Sequence, residues 1–185
     1  MKLEGHTALG HYLIKRYLSH VSRMERSAFL LGCQWPDRNP TTYLKGSIKY
    51  TWFRGHNFEN AQKFMTTLCG RLNRKILSGI YDYYSLGKLI HYIADSFTYC
   101  HNSLFNGTLT EHRAYEVKLQ KLFPEFLHDH LSPALIYDDS PIDTILSHHS
   151  DYLRMPQNPD TDSEYTVRVS CTIMELLLSK SKTNA

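Results

Sequence analysis

The sequence has no CxxC pair: its four cysteines, Cys33, Cys69, Cys100 and Cys171, are scattered along the chain. That argues against both cysteine zinc ligation and a disulfide framework and leaves reduced, mostly buried thiols as the expectation. There is no apolar run long enough to span a bilayer. The opening stretch, MKLEGHTALGHYLIKRYLSH, interrupts its apolar positions with His and Lys and offers no small-residue cleavage site, so no signal peptide is evident and a cytoplasmic location is expected. A formal charge of +3 is too small to call for a specific nucleic-acid partner. Internal repeats, low-complexity tracts and interdomain linkers are missing too, and 185 residues suit one domain, residues 1–185, with a sizeable core.

Aromatic residues are plentiful. Thirteen tyrosines stand against eight phenylalanines and two tryptophans, a mixture that suits a pocket with apolar walls and hydroxyl tips as well as a packed core. Apolar residues recur at helical spacing through most of the chain. Leu9, Tyr12, Leu13, Tyr17 and Leu18 predict a helix over 7–20, and a short one is expected over Glu25–Gly32, with Gly32 as its stop. The segment from Cys33 to about Gly55 has two prolines and little periodicity, and reads as a long ordered loop. A long amphipathic helix follows over 57–77. Ser85 is expected to cap the next, Thr108 and Glu111 to form a capping box, and Pro124 to end the helix after it. Two more helices are expected over 142–153 and 163–179. No segment alternates convincingly as a strand, so the predicted fold is all-α, a single-domain helical bundle with one long ordered loop.

Chemistry concentrates between Gly87 and Glu116. There the spacing is His91-x3-Asp95-x5-His101, followed by His112-x3-Glu116. Residues four apart in a helix share a face, so His91 with Asp95 and His112 with Glu116 make two chelating pairs. With eleven histidines and 18 acids in the chain, chance alone supplies about one His-x3-acid pair, so two pairs by themselves decide little. The pattern gains weight because both pairs fall in expected helices with His101 between them. Imidazole and carboxylate are donors that zinc accepts, and a carboxylate can bridge two metals. His128, His130, His148 and His149 fit no such pattern and read as solvated helix positions.

With further pieces added in order, the sequence resembles the zinc-dependent phospholipase C family, whose helical fold is shared with single-strand-specific nucleases. The matching pieces are Gly5-His6 with Gly10, Trp35-Pro36-Asp37, Gly55-His56, His91-x3-Asp95-x5-His101 and His112-x3-Glu116. The resemblance implies that Asp37, His56, His91 and Asp95 hold one zinc, and His101, His112 and Glu116 a second. It implies a third ion shared by Asp95 and His6, which makes the complement two or three zincs; His11 is a competing ligand for His6. In the family the third ion is completed by an N-terminal tryptophan, and the chain departs from that pattern, with Met1 standing five residues ahead of His6.

The same resemblance implies a hydrolase acting on phosphoric ester bonds, which cleaves a phosphodiester with a zinc-activated water. Asp37 is then the catalytic candidate, as general base or water-orienting group. The substrate is expected to be a small-molecule or phospholipid phosphoester, with transient contact at a membrane surface allowed. Tyr43, Tyr50, Trp52 and Phe53 are candidates for a headgroup wall. Two alternatives stay open: a nuclease-like phosphoesterase of the same fold, and a non-catalytic domain whose metals are structural.

Overall fold

The computed structural model describes residues 1–39, 57–129 and 140–179. Among them the chain forms seven α-helices and no strand: α1 (Leu3–Tyr17), α2 (Arg23–Arg38), α3 (Phe58–Leu72), α4 (Gly79–Ser96), α5 (Leu109–Asp129), α6 (Pro141–Tyr152) and α7 (Pro159–Ser179), with a 3-10 turn at Tyr99–His101. The all-α expectation holds. No described helix is long and apolar enough to cross a membrane.

Helix α4 is the axis of the molecule. Leu86, Leu89, Ile90, Ile93 and Ala94 are buried, and so are the polar His91, Asp95 and Ser96, so the helix has almost no solvent face. Helices α2, α3 and α7 pack around it, and its start is fixed by a left-handed Gly79 with φ of 76°. Ser85 is not a cap. It lies inside α4, where its hydroxyl donates to the Tyr81 carbonyl at 2.8 Å.

Helix α2 departs furthest from the sequence expectation. A capping box between Ser22 and Glu25 starts it, and it runs past Gly32 and through Pro36 to Arg38. Gly32 is no stop because its missing side chain serves packing. A Cβ on Gly32 would collide with the Tyr84 carbonyl and come within 3.0 Å of the Gly87 Cα, and one on Gly87 would strike the Phe29 carbonyl. The two glycines therefore set how closely α2 approaches α4. Asp37 consequently sits on the last turn of a helix and not in a loop. The rest of the expected loop, residues 40–55, lies outside the described residues.

Pro124 does not end α5 either. A proline inside a helix costs about 3 kcal/mol, but Leu119 and Phe123 are fully buried before it, and Phe126 and Leu127 pack on the core after it. That packing keeps the helix going. The expected Thr108–Glu111 box is present, with the Glu111 amide donating to the Thr108 hydroxyl at 3.3 Å and the Thr108 amide to the Glu111 carboxylate at 2.7 Å. All four cysteines are buried free thiols.

Candidate metal centre

Four helices and a 3-10 turn deliver the polar groups to one place. Helix α1 brings His6, the last turn of α2 brings Asp37, α4 brings His91 and Asp95, and α5 brings His112 and Glu116. The 3-10 turn that follows α4 adds His101. His6, His91 and Asp95 form one group whose ligand atoms all lie within 4.8 Å of one another; Cys100, His101, His112 and Glu116 form a second on the same criterion.

In the first group the His6 and His91 rings stack with centroids 3.9 Å apart. Both Nε2 atoms point at the Asp95 carboxylate, His6 at 3.2 Å from Oδ1 and His91 at 3.2 Å from Oδ2. Asp37 stands over the pair, 3.8 Å from each imidazole. In the second group His101 Nε2 is 3.3 Å and His112 Nε2 is 3.7 Å from the Glu116 carboxylate. Asp95 belongs to both, since its Oδ1 is also 3.7 Å from His101 Nδ1.

The centre is graded from dry to wet. His6, His91, Asp95 and His101 are buried, whereas the side chains of Asp37, Glu116 and His112 are 13%, 14% and 27% exposed. Among the described residues those three are the partly exposed edge of the cluster.

Outer contacts fix the ring orientations. His91 Nδ1 lies 2.9 Å from the Cys33 carbonyl oxygen. A carbonyl only accepts, so Nδ1 carries a proton and Nε2 is the nitrogen turned toward the centre. The close approach permitted by Gly32 and Gly87 brings that carbonyl within reach. The segment joining Asp95 to His101 is held by Asn102, whose amide nitrogen donates to the Ser96 and Thr98 carbonyls at 3.1 and 2.9 Å. Its Oδ1 then accepts from His149 Nε2 at 2.7 Å. His149 is therefore no solvated position: it is buried and stacked on Phe58, and burial lowers its pKa to about 4.

Electrostatics suit a divalent cation. Burial pushes His6 down to about 4, aided by the neighbouring His91, and burial likewise lowers His101, helped by the Met1 amine. At His91 burial opposes the charged form, but the Asp95 and Asp37 carboxylates outweigh it and raise the pKa. Asp95 is held well below the ordinary carboxylate range: burial works against this, but the Met1 amine, His101, His91 and His6 prevail. Glu116 is lowered as well, because hydrogen bonds with His101 and His112 and the charge of the Met1 amine overcome its burial.

Two members of the centre have no signal in the spacing that reveals the others. The Met1 main-chain nitrogen lies 2.7 Å from Asp95 Oδ1, 3.2 Å from His101 Nε2 and 3.4 Å from Glu116 Oε1. The Met1 side chain folds back over Gly5, where a Cβ would come within 2.6 Å of its sulfur. Cys100 is the other. It precedes His101 in the 3-10 turn, and a lone cysteine in sequence reads only as a buried thiol.

Of the residues singled out from sequence, His6, Asp37, His91, Asp95, His101, His112 and Glu116 are gathered here. His56 lies outside the described residues, as do Tyr43, Tyr50, Trp52 and Phe53. His11 is exposed and apart from the cluster. The donor set fits a metal: the buried His6 Nε2 faces the Asp95 and Asp37 carboxylates at 3.2 and 3.8 Å, and the buried His101 Nδ1 has no hydrogen-bond partner among the described residues and stands 3.7 Å from Asp95 Oδ1. Buried polar atoms seldom stay unsatisfied, and a coordinated cation would satisfy them.

Fold and donor set together define an all-helical protein built around a histidine and carboxylate metal centre. A family model described as zinc-dependent phospholipase C matches residues 6–157, which takes in every side chain of the cluster from His6 to Glu116. The chain belongs to the zinc-dependent phospholipase C family. Comparison with curated proteins and with solved structures gives no match.

Proposed function

We propose that the protein is a zinc-dependent phosphoesterase that hydrolyses a phosphodiester, a phospholipid headgroup ester among the candidates. The observation that supports this most is the pairing of two adjacent donor groups through the shared Asp95, with partly exposed side chains at Asp37, His112 and Glu116 among the described residues. His6, His91, Asp95 and Asp37 would hold one part of the zinc complement, and His101, His112 and Glu116 the other. Zinc, when bound, supplies Lewis acidity toward a phosphoryl oxygen and makes a nearby water more acidic.

The chain's own groups do the rest. Asp95 stays ionised across the neutral range, while His6 and His101 stay neutral and so offer lone pairs. His91 is locked by the Cys33 carbonyl with Nε2 facing inward. Asp37, partly exposed and 3.8 Å from two imidazoles, would orient a water and accept its proton as that water attacks phosphorus opposite the leaving oxygen. Family membership supports the phosphoester as the bond class.

Three substrates test the reading: a chromogenic phosphodiester, a chromogenic phosphomonoester and a short-chain phosphatidylcholine, each offered to zinc-loaded protein. Turnover of a diester is expected, with Asp37→Asn slower by about 10²-fold or more, the usual contribution of a positioned base. Zinc-loaded protein that leaves all three intact would make the metals structural and overturn the proposal.

A further inference from the structure

Helix α7 begins at Pro159 and so lies outside the matched region 6–157, yet one of its side chains reaches the scaffold of the metal centre. Asp162 is completely buried. Its Oδ2 accepts from the Tyr99 amide at 2.9 Å and from the Tyr115 hydroxyl at 2.8 Å, and its Oδ1 accepts from the Tyr152 hydroxyl at 2.7 Å. Tyr99 opens the 3-10 turn that ends in His101, and Tyr115 stands between His112 and Glu116 on α5. One carboxylate thus ties together the two elements that carry all four residues of the second donor group, and anchors both to α6 and α7.

A buried carboxylate is unfavourable unless its acceptor sites are filled, and here three donors fill them. An apolar residue of similar volume would pack in its place, but the Tyr99 amide and the Tyr115 and Tyr152 hydroxyls would then lose their acceptor. We infer that Asp162 is a positioning residue for the second half of the metal centre, setting the spacing of His101 against His112 and Glu116. It touches no reacting atom and acts through Tyr99 and Tyr115. Hydrogen-bonded supports of this kind are worth 10–100-fold in metal affinity when removed.

The inference rests on the metal-centre reading, and zinc binding separates the two. Zinc per chain and stepwise affinity would be measured by chelator competition on wild type, Asp162→Leu, Asp162→Asn and Tyr115→Phe, with helicity followed by circular dichroism. Wild type is expected to hold at least two zincs. Asp162→Leu should weaken one of them at least 10-fold and leave the other within about 3-fold, with helicity kept. Asp162→Asn should recover most of the loss, since its oxygen can face the Tyr99 amide while the Tyr152 hydroxyl rotates to accept from its NH₂. Tyr115→Phe, which deletes one donor and leaves the carboxylate in place, should weaken the same zinc alone.

Wild type with fewer than one zinc would overturn both readings. If wild type holds two zincs, then equal affinities in wild type and in both Asp162→Leu and Tyr115→Phe would overturn this inference only. Parallel weakening of both zincs would do so too, because it would reduce Asp162 to a part of the general core. Should Asp162→Leu fail to fold, Tyr115→Phe decides alone.

Discussion

Asp95 is in contact with more of the centre than any other described side chain. Its two oxygens face His6, His91, His101 and the Met1 nitrogen at 2.7 to 3.7 Å, whereas Glu116 serves only the second group and the amine. Replacing it by Asn keeps the shape, removes the charge and turns one acceptor into a donor. Asp95→Asn is therefore expected to lose more zinc than Glu116→Gln, read as metal per chain on the purified variants; equal contents would mean that Asp95 is not shared. At this scale the spacing in the sequence is informative, because helical geometry converts i, i+4 into a shared face and so exposes His91 with Asp95 and His112 with Glu116. Cys100 and the Met1 nitrogen escape it. Neither has a partner at a fixed offset, and both arrive only through the turn after α4 and the packing of α1.

Among the elements, α2 teaches most about what residue types conceal. Glycine and proline together read as a break, and they would be one in an isolated peptide. Tertiary contact reverses the meaning: Gly32 is needed for the crossing with Gly87, and Pro36 lies in the final turn, where little helix remains to lose. The expectation follows that Gly87→Ala drives a Cβ into the Phe29 carbonyl and forces α2 away from α4. Such backbone overpacking should cost at least about 3 kcal/mol, above the usual range for core side chains because main chain cannot rotate aside. The urea midpoint of the metal-free protein measures it, and Gly70→Ala, where a Cβ meets open space, is the control expected to be neutral or slightly stabilising. The helices themselves were largely legible from apolar spacing. Their ends were not, since Ser85, Pro124 and Gly32 carry local meanings that packing overrides.

For the whole molecule, acid is the revealing variable. His149 titrates at about 4 in the folded chain against an ordinary 6.5, so the unfolded chain takes up its proton first. The stability it contributes is fully present above pH 6.5 and is lost as pH falls toward 4. A shift of that size corresponds to at most about 3 kcal/mol. His149→Gln can still donate to Asn102 but cannot ionise. Its unfolding free energy should start lower, through loss of the stack on Phe58, and fall less between pH 7 and 4 than that of wild type. Parallel falls in chemical denaturation series would show that the histidine is not a source of acid sensitivity. Sequence could not single out His149, because its role depends on Asn102 and Phe58, which lie far from it in the chain.

The hydrogen bond that orients His91 ends on a peptide carbonyl, and no side-chain replacement at residue 33 can delete a carbonyl. What can change is its distance from the ring, and that is controlled one residue earlier and on the facing helix, at Gly32 and Gly87. Selection for a correctly turned imidazole would therefore leave its mark on two glycines that never touch the metal, and drift at residue 33 would say nothing about the bond made there.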